Sequence, residues 1–157
     1  AVGEHAAFGV YVMFKVHLVC VGKLKESYWR EAVSEYSKRL SRFCALDIRE
    51  LPERATLQEE ASDILRAAKG HIVALAVEGK GCSSEAFARK IAAVRDKGEE
   101  LTLLIGSSCG LAPEVKAASQ ELLSFSAMTF PHQMMRVILL EQLYRAFMIL
   151  SGSEYHK

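Results

Sequence analysis

The stretch LLIGSSCGLAPEVK, residues 103–116, decides the fold. Its apolar run, Leu103-Leu104-Ile105, has the character of a buried strand. The run stops abruptly in Gly106-Ser107-Ser108-Cys109-Gly110, and Pro113 then suits the first turn of a helix. A strand that opens into a helix through a short loop is the repeating unit of an α/β domain. Glycines and small residues let a backbone approach a neighbour closely. The loop is therefore either a tight turn or a wall against which a ligand lies.

The flanking segments repeat this alternation. Phe14–Val21, Ala45–Leu51, His71–Val77, Leu101–Ile105 and Leu122–Ser126 read as strands. Lys25–Ser41 places Tyr28, Trp29, Ala32, Val33, Tyr36 and Leu40 on one helical face. Thr56-Leu57-Gln58-Glu59 is a capping-box pattern that starts a second helix, with Gly70 beyond its end. Glu78-Gly79-Lys80-Gly81 reads as a turn, Ser83 or Ser84 caps a third helix, and Gln133–Leu150 forms a long one. Strands alternating with helices predict one α/β domain, a mostly parallel sheet with helices on both faces. In such sheets ligands sit beyond the carboxyl ends of the strands. The loops there are Gly22-Lys23-Leu24, Glu78–Gly81, Gly106–Gly110 and Ala127–Gln133.

The chain has 157 residues, half of them apolar, and a net charge of +1. That balance excludes a broadly basic nucleic-acid binder, so any RNA contact must be a local patch or a match of shape. Lys23, Lys25, Arg30, Lys38, Arg39 and Arg42 make the first loop and helix basic, a pattern that a solvated helix face also explains. Four scattered cysteines without a C-x-x-C pair fit a reducing cytoplasm. No apolar run is long enough to span a bilayer. Residues 1–12, AVGEHAAFGVYV, lack the basic start of a signal peptide. They read as an N-terminal extension, disordered or foreign to a natural start at Met13, with the domain at 13–157.

Neither G-x-G-x-x-G nor G-x-x-x-x-G-K-[ST] occurs, which argues against a dinucleotide or triphosphate site. G-x-S-x-G does occur, as Gly106–Gly110, and as a hydrolase elbow it would need Glu121 or Glu141 with His156. No His/Cys/Asp cluster has metal-ligand spacing, so no metal is expected. Cys109 is either a nucleophile activated at a helix start or a small residue tolerated in a tight loop.

The segment FSAMTFPHQMMRVILLEQLYRAF, residues 125–147, carries more chemistry. Arg136 lies near a helix start, where partial positive charge already exists. A cation there suits an anion such as phosphate, or else it is locally paired. The helix beyond is apolar nearly all round, which predicts cover by a second subunit. The chain ends Tyr155-His156-Lys157, suited to base stacking and phosphate contact if the end is not simply frayed.

Taken together, VCVGKLKESYWREAVSEYSKRL, LLIGSSCGL, LSFSAMTFPHQMMRVILLEQLYRAF and the terminal YHK resemble the rRNA large-subunit methyltransferase H family, small enzymes of the SPOUT superfamily. The resemblance covers Met13 to Lys157. It implies a C-terminal trefoil knot, a homodimer, and methyl transfer from S-adenosylmethionine to N3 of a pseudouridine in 23S rRNA within the assembled ribosome. It places the cofactor at Leu75, Gly106 and Phe125, Ser126, Ala127, Met128, Thr129 and Phe130. The imide N3 proton must leave, which makes His132 and His156 candidate bases. Arg136 would hold a phosphate or enolate-like charge, and Tyr155 would stack on the base. The family usually carries a second glycine where this chain has Ser107. If that position needs a positive φ or a close ligand contact, the serine weakens cofactor binding. A rival reading keeps the fold without catalysis, as a ribosome-binding or assembly factor.

Overall fold

A computed structural model describes residues 13–155. The expectations for residues 1–12 and for His156 lie outside the described residues. Five strands and five helices alternate: β1 Lys15–Val21, α1 Ser27–Leu40, β2 Ala45–Leu51, α2 Leu57–Ala67, β3 His71–Lys80, α3 Ser84–Asp96, β4 Leu101–Ile105, α4 Pro113–Ala118, β5 Glu121–Leu123 and α5 His132–Leu150. The strands form one parallel sheet in the order β2-β1-β4-β3-β5.

Local chemistry explains the helix starts. Thr56 Oγ1 accepts from the Glu59 amide, and Ser83 Oγ accepts from the Ala86 amide. Each thereby satisfies a donor that a helix start leaves unpaired. Pro113 opens α4, where its missing N–H costs nothing.

The sheet buries both faces. On one, Leu18, Cys20, Leu101 and Leu103 pack against Phe87 and Ile91 of α3 and Leu139, Leu140 and Leu143 of α5. On the other, Val19, Val21 and Leu104 pack against Ala61 and Ile64 of α2 and Val115 of α4. All five residues of β4 are buried, which accounts for its unbroken apolar reading. Each fully buried leucine of this kind contributes roughly 2 kcal/mol relative to exposure.

One expected turn is something else. Residues 78–80 belong to β3, not to a turn, because Leu75 and Lys80 both pair with Leu123 and the residues between them leave the ladder. A Cβ on Gly79 would lie 2.7 Å from the Leu122 carbonyl, so only glycine lets this segment press on β5. The displaced residues Ala76, Val77 and Glu78 form part of a cavity wall. Among the described residues no helix is long and apolar enough to cross a membrane.

Candidate active site

The cavity has a volume of about 670 Å³ and lies at the carboxyl ends of β3, β4 and β5. That is the end where parallel sheets place ligands. Its walls are the loop 106–110, the loop after β5, the displaced part of β3, and the start of α5.

The loop 106–110 is both a tight turn and a wall. The Gly110 amide donates to the Ser107 carbonyl at 2.9 Å, and the two residues form an antiparallel bridge. A Cβ on Gly106 would lie 2.5 Å from the Gly110 carbonyl oxygen and 2.9 Å from Leu111 Cδ2. Glycine is therefore required by the loop's own closure, before any ligand is considered.

Ser107 is not strained, since no non-glycine residue among those described has a positive φ. Its Oγ donates to Glu60 Oε1 at 3.0 Å and accepts from the Cys109 amide at 3.3 Å. Glu60 is 5% exposed as a residue, and its second carboxylate oxygen accepts from the Arg54 amide. Sequence reading missed Glu60. Glu59-Glu60 at a helix start looks like a solvated pair, and nothing local marks one of them for burial.

The loop after β5 also braces itself. Ser124 Oγ donates to the Ser126 carbonyl, and Ser126 Oγ accepts from the Met128 amide. Met128, Phe130 and Val77 are exposed apolar residues on the cavity rim. Lys116 and Glu78 also line the cavity and pair with each other. The Lys116 ammonium holds the Glu78 carboxyl below its usual range.

The residues expected to hold the cofactor mostly meet. Leu75, Gly106, Phe125, Ser126, Met128, Thr129 and Phe130 line this cavity, and Ala127 does not. Of the residues expected to do chemistry, His132 lines it as the first residue of α5.

Arg136 is elsewhere. It is 1% exposed and donates to Glu50 Oε2 at 2.7 Å and to the carbonyls of Gly22 and Val21. Two of its three guanidinium nitrogens are thus engaged inside the chain, beneath the loop that follows β1, while Nε is buried without a hydrogen-bond partner among the described residues. Tyr155 is also apart. Its hydroxyl donates to Glu141 at 2.9 Å, and its ring packs edge-on against Tyr144. Burial and then the Glu141 carboxylate push the Tyr155 hydroxyl above its usual range, so it stays protonated at neutral pH.

The elbow reading gains no support among the described residues, and its histidine, His156, lies outside them. Glu121 pairs with Lys90 and Glu141 with Arg145. Neither Ser107 nor Ser108 bonds to a histidine among the described residues.

The cavity suits a cofactor of the size and polarity of S-adenosylmethionine. Small-ligand sites typically have volumes of roughly 300–1,000 Å³ and mostly apolar walls with a few polar groups. Here Leu75, Ile105, Leu111, Leu123, Phe125 and Met135 supply apolar surface for a flat base, and the two loops supply backbone amides and carbonyls. Among the described residues no group of three or more His, Cys, Asp or Glu is placed to hold a metal ion.

Comparison with known proteins agrees with this geometry. Residues 14–156 match a family model described as "Predicted SPOUT methyltransferase". The ribosomal RNA large subunit methyltransferase H of Streptococcus equi subsp. equi (strain 4047) is 44% identical, over 91% of this chain and 99% of that protein. The protein of the same name from Streptococcus pyogenes serotype M5 (strain Manfredo) is 45% identical over the same shares. Among solved structures, a probable methyltransferase from Bordetella pertussis Tohama I has a similar fold. Its TM-score is 0.53 at 12% identity, covering 93% of this chain and 99% of that one.

Proposed function

We propose that this chain, which belongs to the SPOUT methyltransferase family, methylates large-subunit ribosomal RNA with S-adenosylmethionine as donor. Membership makes it an S-adenosylmethionine-dependent methyltransferase. The RNA substrate is drawn from relatives 44–45% identical over nearly their whole length. The finer target we propose is N3 of a pseudouridine in 23S rRNA, presented by the assembled ribosome in the cytoplasm. The observation that carries the proposal is convergence: seven of the eight residues named for the cofactor line one cavity, with His132 at its edge.

S-adenosylmethionine, when bound, supplies an electrophilic methyl group. The chain's own work is placement, which can lower a barrier by several kcal/mol, on the order of 7 or more in the best cases. The loops 106–110 and 124–130 are each closed by internal hydrogen bonds, so they form a pre-organised wall. His132, which lines the cavity, is a candidate to accept the N3 proton, beside His156. Arg136 acts from beneath, holding the loop that carries Lys23 and Lys25.

We propose a homodimer with the RNA site shared between subunits. Met134, Val137 and Ile138 of α5 are only half-buried in the single chain, which favours further cover. His156 and Tyr155 of one subunit would then serve the cavity of the other, and a C-terminal trefoil knot belongs to the same reading.

The test is transfer of a labelled methyl group from S-adenosylmethionine to purified ribosomes, to protein-free 23S rRNA, and to small subunits. The proposal expects label on the large-subunit RNA of ribosomes and little on the other two. A chain that binds the donor and labels none of the three is not this enzyme.

A further inference from the structure

We propose that Glu60 is a positioning residue for the donor-binding loop, acting through Ser107. The inference rests on the methyl-donor reading of the cavity. Glu60 lies on α2, and it does not line the cavity. Its influence must therefore pass through what it holds.

Glu60 is 5% exposed as a residue, and a buried carboxylate is costly unless its oxygens are hydrogen-bonded. Both are. Oε1 accepts from Ser107 Oγ at 3.0 Å, and Oε2 accepts from the Arg54 amide at 3.0 Å. Bonds to an ionised acceptor are about twice as strong as neutral ones.

Ser107 relays this anchorage. Its proton goes to Glu60, so its lone pair is free to accept the Cys109 amide. Its carbonyl accepts the Gly110 amide. One side chain thus fixes the course of residues 107–110, all of which line the cavity. The loop cannot take up slack elsewhere, because Gly106 already lies too close to Gly110 to admit a Cβ. Ser107 is therefore the handle by which α2 sets the wall.

The test is calorimetric titration of S-adenosylmethionine into the wild-type chain and into Glu60→Ala, Ser107→Ala, the double variant and Ser107→Thr, with melting temperatures for each. Amide hydrogen exchange of residues 107–110 is followed in the donor-free proteins. We expect each alanine variant to bind the donor about tenfold more weakly and to exchange faster at 107–110. The double variant should be no weaker than the weaker single one, because both changes break one link. Ser107→Thr, which keeps the hydroxyl, should bind within about threefold of wild type. Turnover at saturating donor should change far less than the donor KM. A structural role alone would lower the melting temperature and leave donor affinity untouched, which would overturn the proposal, as would additive losses in the double variant. If Glu60→Ala does not fold, Ser107→Ala against Ser107→Thr decides. If the wild-type chain itself binds no donor, the cavity reading fails, and the exchange rates still decide whether Glu60 orders the loop.

Discussion

Arg136 donates to Glu50 at 2.7 Å from a position only 1% exposed, and Glu50 Oε2 also accepts the Leu24 amide. The pair ties α5 to the ends of β1 and β2 and to the basic loop between β1 and α1. An arginine near a helix start reads in the sequence as an anion site. Here the anion is the chain's own carboxylate.

Arg136→Met should therefore act on stability. It strands the Gly22 and Val21 carbonyls and leaves Glu50 without its cation. Only the arginine is buried and the Glu50 side chain is 34% exposed, so the loss should be about 2 kcal/mol. Urea unfolding should show the loss, while the folded fraction binds S-adenosylmethionine normally. Unchanged stability with lost methyl transfer would instead assign Arg136 to the substrate.

Gly106→Ala should weaken donor binding by tenfold or more, about 1.4 kcal/mol. A methyl group there meets Gly110 backbone at 2.5 Å, so the loop must open. The damage begins with the loop's own closure, and not with a side chain entering ligand space. Calorimetry checks it, and equal affinity for the two chains would mean that the donor does not lie against this loop.

The alternation of strands and helices was legible because each signal was local. The Thr56 cap, the Pro113 start and the apolar run 101–105 all state their structure within a few residues. The cavity loops were legible as motifs. What failed to show was non-local. Ser107 and Glu60 lie 47 positions apart, and Arg136 and Glu50 lie 86 apart. No periodicity joins such partners. The glycines at 79 and 81 mimic a turn, whereas Lys80 returns to pair with β5 and residues 78–80 stay in the strand.

Thiol labelling offers a direct report on the cavity. Cys20 and Cys44 are buried, and burial pushes both thiols up to about 12. At pH 8 they stay protonated and shielded, so only exposed Cys82 and Cys109 should react in the folded chain. Cys109 lines the cavity and Cys82 does not. Saturating S-adenosylmethionine should slow alkylation of Cys109 severalfold and leave Cys82 unaffected, as read by peptide mass spectrometry. Equal protection of both, or of neither, would move the donor away from this loop.

Tyr155→Phe separates packing from chemistry at the tail. The ring contact with Tyr144 survives, while the hydroxyl's bonds to Glu141 and Tyr36 are lost. Glu141 keeps Arg145, so stability should fall by about 1 kcal/mol or less. Deleting residues 155–157 removes the ring as well and should cost somewhat more. Donor affinity should hold in both, with methyl transfer to ribosomes severely reduced by the deletion. Full transfer by the truncated chain would leave the tail a purely structural element.

Mass spectrometry of 23S rRNA from cells with and without the gene decides whether this chain methylates the pseudouridine. One pseudouridine should lose a single methyl group at N3 when the gene is absent, and regain it when the gene is restored. An identical modification pattern in both rRNAs would contradict the proposed activity.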